Sequence, residues 1–212
     1  MVITKIERQK NNEKRYSVYI DGEFAFGMDG EDILYFKLAE NKELEEERYK
    51  YIMEYVLYIK AREEAYNYLG FKSRTEKELR QKLEKSGYPE DIIEKVIQLM
   101  KKYGYLNDET YVKNYINDRK KFKPSGKRLI KYELSQKGIS DEIISKVIEE
   151  IEIDETELAV KVLAKKSKGK DISDRKQKEK LYMYLAGKGF DYDTINSAFR
   201  QALENIDKFE DI

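Results

Sequence analysis

Two stretches of this chain concentrate positive charge. Lys113 to Lys131 carries eight Lys or Arg residues against one acid, Asp118, and Lys161 to Lys180 carries nine against Asp171, Asp174 and Glu179. Clustered ammonium and guanidinium groups are suited above all to neutralising phosphates and releasing their counterions. The residues placed for that task are Lys120, Lys121, Lys123, Lys127, Arg128 and Lys131 in the first stretch and Lys165, Lys166, Lys168, Lys170 and Arg175 in the second. Lys72 and Arg74 form a smaller counterpart earlier in the chain. The competing expectation is a solvated edge that only keeps the protein soluble. The loops Pro124-Ser125-Gly126-Lys127 and Lys168-Gly169-Lys170 would add backbone amides as phosphate donors. Tyr103, Tyr105 and Phe122 lie near these edges and are candidates to stack on bases or touch a partner. Most of the remaining aromatic residues recur at helical or strand spacing, which fits packing.

Other chemistries find little support. There is no histidine and no cysteine, which excludes imidazole and thiolate metal sites, Ser-His and Cys-His nucleophile pairs, and disulfides. Glu7, Asp21 and Glu23 could in principle hold Mg²⁺, but no spacing focuses them on one point. No phosphate-cradling glycine motif is present. We therefore expect no catalytic residue, metal, cofactor or small-molecule substrate. The chain is balanced at 42 basic and 42 acidic residues, so any attraction to a polyanion is local rather than global. No apolar run is long enough to span a bilayer and no signal-peptide core is seen, which makes the cytoplasm the expected compartment and a membrane no partner.

The elements that position the basic stretches follow from an internal repeat. Glycines recur every 51 residues, at 87, 138 and 189. Leucine or isoleucine stands four and eight residues before each: Leu83 and Leu79, Leu134 and Ile130, Leu185 and Leu181. Apolar residues follow at matching offsets, namely Ile93, Val96, Ile97 and Met100, then Ile144, Val147, Ile148 and Ile151, then Ile195, Ala198, Phe199 and Ala202. Such offsets trace one face of a helix, and a fixed period marks a repeat architecture. Each unit reads as helix, glycine C-cap and second helix, preceded by a further helix over 62–69, 109–120 or 155–165. In the first unit Ser73 with Glu76, or Thr75 with Glu78, forms a capping box, and Pro89 opens the next helix. The second helices of each pair are acidic to mixed and lack the Arg, Asn and Gln sets that read base edges, which argues against sequence-specific DNA recognition.

The N-terminal segment differs in kind. Val2 to Ile6, Tyr16 to Ile20 and Glu23 to Phe26 alternate as strands, separated by a polar turn at 9–13 and by Asp21-Gly22. Asp29-Gly30-Glu31-Asp32 starts a helix with Ile33, Leu34, Phe36 and Leu38 as its apolar part. A long Tyr-rich helix over 43–69, with a break near Lys60-Ala61-Arg62, would bury Tyr51, Ile52, Tyr55, Val56, Ile59, Ala65 and Tyr66. The predicted fold is mainly α: three tandem three-helix, helix-turn-helix-like repeats in an elongated array, preceded by a small antiparallel β meander. The expected boundaries are 1–61 for the meander and connecting helices, 62–107 and 108–153 for the first two repeats, and 154–212 for the third with a frayed acidic tail from Asp207.

Several of these residues carry a family resemblance. Ser73-Arg74-Thr75-Glu76-Lys77-Glu78-Leu79-Arg80-Gln81-Lys82-Leu83, then Lys85-Ser86-Gly87-Tyr88 and Tyr103-Gly104-Tyr105-Leu106-Asn107-Asp108, are similar to the RecX family of RecA regulators. So are Gly126-Lys127-Arg128, Tyr132-Glu133-Leu134 and Gln136-Lys137-Gly138-Ile139. The resemblance covers roughly 60–212. It implies a non-enzymatic inhibitor that binds the RecA nucleoprotein filament, lies in its groove and restrains recombinase, ATPase and coprotease activity. That role belongs to homologous recombination, DNA repair and the SOS response. Weak, sequence-independent contact with single- or double-stranded DNA would be secondary. The alternative is a non-specific DNA-binding or architectural module that acts without a protein partner. No fixed set of functional residues comes with the resemblance.

Overall fold

A computed structural model of the chain describes residues 1–10, 12–168 and 174–210, with side chains as far as Glu204. Strands β1 (Ile3–Gln9), β2 (Asn12–Ile20) and β3 (Glu23–Asp29) form an antiparallel sheet in the order β1-β2-β3. The polar turn joins β1 to β2, and its Asn11 lies outside the described residues. Asp21 and Gly22 join β2 to β3 with φ of 50° and 92°, the paired positive angles that a tight two-residue hairpin turn needs. Val18 pairs with Phe26 and Tyr16 with Met28. Ile3, Val18, Phe26 and Met28 are buried, so the sheet has an apolar face to cover.

Helix α1 (Gly30–Tyr35) follows, with Asp29 as its N-cap. Phe36 and Leu38 are buried as expected, but Leu34 is 78% exposed. A helix packed on one side turns inward only residues three or four apart, here Ile33 and Phe36, and the residue between points away. Helix α2 (Glu46–Tyr51), a π-helical segment over Ile52–Leu57 and helix α3 (Tyr58–Phe71) run end to end. The expected break near Lys60 is absent. Ala61 and Ala65 are fully buried there, and Lys60 is held by Asp29 at 2.8 Å and by Asp32. The expected stripe holds in part: Ile52 and Ala65 are buried and Val56 and Tyr66 pack against the core, but Met53, Leu57 and Ala61 face inward as well, whereas Tyr51, Tyr55 and Ile59 are exposed. A π turn holds more residues than an α turn, so it rotates the side chains out of the 3.6-residue register.

The repeats occupy the remainder. Helices α4 (Glu76–Lys85) and α5 (Glu90–Lys102) complete the first triplet with α3. Helices α6 (Asp108–Phe122), α7 (Lys127–Gln136) and α8 (Asp141–Glu150) form the second. Helices α9 (Glu155–Ser167), α10 (Arg175–Gly187) and α11 (Tyr192–Glu210) form the third. The capping box at α4 is the Thr75–Glu78 pair rather than Ser73–Glu76. Arg74 stacks its guanidinium 4.3 Å from the Tyr68 ring centre and Lys72 is extended, so the chain enters the helix only at Glu76. Helix α11 continues through Asp207 to Glu210, since neither glycine nor proline interrupts it; Asp211 and Ile212 lie outside the described residues.

The three repeat glycines share one geometry. Gly87, Gly138 and Gly189 have φ of 83°, 82° and 86°. Their N–H groups donate to Glu84, Ser135 and Ala186 carbonyls at 2.8, 2.8 and 2.9 Å, and the next N–H donates back to Leu83, Leu134 and Leu185 at 3.3, 3.3 and 3.4 Å. This is the Schellman cap, which satisfies the last helical carbonyls and brings the following residue onto the core. Tyr88, Ile139 and Phe190 are accordingly buried, as are the three leucines. Ile151 and Ala202, the last members of their stripes, are only partly buried.

The chain divides into two compact units, Met1–Asn107 and Asp108–Ile212. In the first, the sheet and the first triplet share a core that includes Phe26, Met28, Leu57, Leu79, Leu83 and Val96. Buried Arg15 ties them together. Its guanidinium donates to the carbonyls of Ser86 and Gly27, both at 2.9 Å, pairs with Asp29 at 3.2 Å and lies over the Tyr88 ring. Burial pushes the Tyr88 hydroxyl well above the ordinary tyrosine range. The second and third triplets likewise share a core, with Ile130, Leu134, Leu163, Leu185 and Phe190 among its members.

Candidate polyanion-binding face of the second unit

Much of the positive charge in the first basic stretch is engaged inside the second unit. Lys113 pairs with Glu150 at 2.9 Å. Arg119 pairs with Glu133 and donates to the Tyr115 hydroxyl at 2.7 Å, and that hydroxyl donates to Glu133 at 2.6 Å. Burial, followed by the Glu133 carboxylate, raises the Tyr115 pKa. Lys120 donates to the Glu152 carbonyl at 3.0 Å. Lys127 lies 3.7 Å from Glu155. In the second stretch Arg175 pairs with Glu179 at 3.2 Å.

The loop at Pro124–Lys127 is a clasp rather than a phosphate cradle. Its Gly126 N–H donates to the Lys188 carbonyl at 3.0 Å, and its Lys127 N–H donates to Glu155 at 2.8 Å. Ser125 is buried with its hydroxyl on the Lys123 carbonyl. Those amides are therefore not available to a ligand. Of the other loop, Lys168 is exposed, whereas Gly169 and Lys170 lie outside the described residues.

A different grouping emerges from the packing. The C-terminal end of α6 with the residues after it, the C-terminal half of α9 and the end of α10 with its cap residue border a recess of about 390 Å³ lined by Phe122, Lys123, Pro124, Lys161, Val162, Lys165, Lys166, Tyr184 and Lys188. Five of these nine residues are lysines and none is an acid. Helix α9 explains part of this: Leu158, Ala159, Val162 and Leu163 turn into the core, which sends Lys161 and Lys165 outward by helical periodicity, while Lys166, on the same face as Val162 and Leu163, is exposed in the last turn of the helix. Lys161 has a partner within its own helix, Glu157 at 2.5 Å. Lys123, Lys165 and Lys166 have no ion pair among the described residues. Lys166 and Lys188 lie 4.8 and 5.5 Å from the centre of the Tyr184 ring, and Lys121 lies 5.1 Å from that of Phe122. Ammonium groups over ring faces are attracted by the π cloud without losing their charge.

Thus Lys123, Lys165 and Lys166 are brought together with exposed Phe122, while Arg128 and Lys131, both exposed on α7, are not among the recess residues. Arg128 and Lys127 instead act on Asp191. Hydrogen bonds from the Thr194 backbone N–H and hydroxyl, reinforced by those two cations, hold the Asp191 carboxyl below its ordinary value. Lys72 and Arg74 belong to the first unit. Tyr105 packs edge-on against Tyr66 at 5.2 Å, and Tyr103 is exposed. Sequence reasoning did not single out Tyr184 or Lys188. Their signal is an aromatic and a cation one helical turn apart. The hairpin carboxylates do not form a group: Glu7 pairs with Lys5 and accepts from the Tyr19 hydroxyl at 2.7 Å, and Asp21 accepts from Val2.

Three helix triplets, each with its first pair closed by a glycine cap, define a protein of the three-helix-repeat class. Comparison with known proteins identifies the class further. Family models match along the chain: the regulatory protein RecX N-terminal domain over residues 1–45 and the first, second and third RecX three-helix domains over 61–98, 107–148 and 152–199. The chain belongs to the RecX family. It is 37% identical over 207 residues to the regulatory protein RecX of Clostridium perfringens strain 13, covering 96% of this chain and 97% of that one. It is 35% identical over 211 residues to that of Clostridioides difficile strain 630, covering 99% of each. A crystal structure of a regulatory protein RecX aligns with a TM-score of 0.62 at 27% identity, over 92% of this chain and 97% of that one. RecX from Lactobacillus salivarius aligns at 0.61 and 28% identity, over 68% of this chain and 96% of that one. The two clostridial relatives and the first of these structures are named as regulatory proteins. Among the described residues no helix is long and apolar enough to cross a membrane.

Proposed function

We propose that this protein binds the RecA–DNA filament and restrains its recombinase, ATPase and coprotease activities, with the lysine face of the second unit turned toward the DNA polyanion. The observation that carries the reading is the recess in which lysines from three separate stretches of chain meet with no acid in the lining, in a chain of the RecX family. Unpaired cations gathered on a rigid helical frame gain most from a ligand that supplies phosphates. Two linked units can add their separate weak contacts with a repeating filament into a firm one. The action is non-catalytic and needs no cofactor, and the working compartment is the cytoplasm.

The test pairs RecA ATPase and strand-exchange assays with gel shifts on bare DNA over a salt series. Inhibition at protein concentrations that leave bare DNA unshifted supports a filament target. Tight, steeply salt-dependent DNA binding without any effect on RecA would replace it with the architectural reading. Reversing charge at Lys123, Lys165 and Lys166 together should weaken inhibition while the melting temperature stays within a few degrees, because all three side chains are exposed.

A further inference from the structure

The recess has a feature that charge neutralisation alone does not require. Phe122 is 67% and Tyr184 37% exposed, and both rings line a concavity otherwise dominated by lysines. At about 390 Å³ it lies within the range of small-ligand pockets. An inorganic phosphate would draw Lys166 and Lys188 from the Tyr184 ring they now lie over and leave that ring, with exposed Phe122, without an apolar partner. An apolar molecule would cover the rings and strand the lysines. A ligand that joins a flat π surface to an adjacent anion satisfies both, and a nucleotide has that constitution. In a duplex the base faces are already stacked, so only a single strand can offer one.

We propose that this recess is a single-nucleotide subsite for single-stranded nucleic acid. An unstacked base lies against Phe122 and Tyr184, and the adjoining phosphate is held by Lys123, Lys165, Lys166 and Lys188. The inference rests on the reading of this face as the side turned to nucleic acid, and adds to it which part of the strand is held. Contact of this kind discriminates single strand from duplex and tolerates any sequence, because every base has a π face.

The experiment measures fluorescence anisotropy of an end-labelled thymidine oligomer, an abasic oligomer of the same length and a duplex, each titrated with the full chain at low salt. The thymidine oligomer should bind about fivefold or more tighter than the abasic one, given the usual strength of base–aromatic stacking. Phe122→Leu with Tyr184→Leu should abolish that ratio and leave abasic affinity unchanged, whereas Phe122→Tyr with Tyr184→Phe should preserve it. Lys165→Gln with Lys166→Gln should weaken both oligomers and make the salt dependence shallower by roughly one to two units of slope. Equal affinity of the wild type for thymidine and abasic strands, or a ratio that survives loss of both rings, would overturn the subsite. RecA ATPase inhibition measured in parallel separates the two readings. Equal oligomer affinities with inhibition intact remove the subsite and leave the filament target; a base-dependent ratio without inhibition does the reverse.

Discussion

Gly126→Ala isolates the close approach that locks the second and third triplets together. Gly126 has φ of −72° and ψ of 159°, angles that alanine adopts freely, so the substitution carries no backbone strain of its own. A Cβ there would lie 2.2 Å from the Gly189 carbonyl oxygen, 2.4 Å from its carbon and 2.6 Å from the Phe190 nitrogen. These are backbone atoms of the α10 cap, and no side-chain rotation relieves the clash. The loop must retreat, which stretches the Gly126–Lys188 hydrogen bond and lifts Phe190 from the core. Overpacking of this sort costs about 3 kcal/mol or more, or roughly 6 to 12 °C in melting temperature for a chain of this size. Gly104→Ala is the control. Gly104 has φ of +74° with open space around its Cβ position, so alanine suffers only the left-handed conformation, about 1–2 kcal/mol. Denaturant melts followed by circular dichroism give the totals. Hydrogen exchange locates them: Gly126→Ala should speed exchange in α7 and α10, and Gly104→Ala at the end of α5. If Gly126→Ala proves no more damaging than Gly104→Ala, the two backbones are not held in contact and the account of the clasp is wrong.

Two other outcomes test the core and its titration. Leu83→Ala and Leu134→Ala, both at fully buried positions, should each cost about 2–5 kcal/mol through cavity formation; a loss below about 0.5 kcal/mol would mean that the helical register is misassigned. Asp191 is held below its ordinary pKa when folded, so its contribution is present in full above the unfolded value and is lost as pH falls through the folded one. Asp191→Asn keeps an acceptor for the Thr194 N–H, bonded at 2.8 Å in the wild type, but cannot titrate. Denaturation midpoints below about pH 4 should therefore fall less steeply for the variant, and coincident slopes would dismiss the linkage.

What could be read in advance is what depends on neighbours along the chain. The Schellman caps at Gly87, Gly138 and Gly189 need only a leucine four residues back, a glycine with positive φ and an apolar residue after it, so the 51-residue period was enough to find them. The long α2–α3 helix was visible as an element, but its buried stripe only in part: Ile52 and Ala65 are buried, and Tyr51, Tyr55 and Ile59 are not. Once the π segment at Ile52–Leu57 shifts the phase, a 3.6-residue count selects Tyr51 and Tyr55, which are exposed, and passes over Met53 and Leu57, which are buried.

Charge was the least legible property. Lys120 and Lys127 look unopposed in the sequence because their partners, the Glu152 carbonyl and Glu155, stand 32 and 28 residues further along the chain. The recess draws on residues 122–124, 161–166 and 184–188, three segments with no local relation.

Around the three repeat glycines, the amino-acid order alone determined where the flanking helices stop and start again and which of their faces are apolar, since capping and periodicity act over a few residues. Only the tertiary structure decided which surfaces those helices share. Gly27 against Gly87, Gly126 against Gly189 and Arg15 beneath Tyr88 are contacts between distant segments, and whether a lysine meets a carboxylate, a ring or water depends on how close such packing brings them.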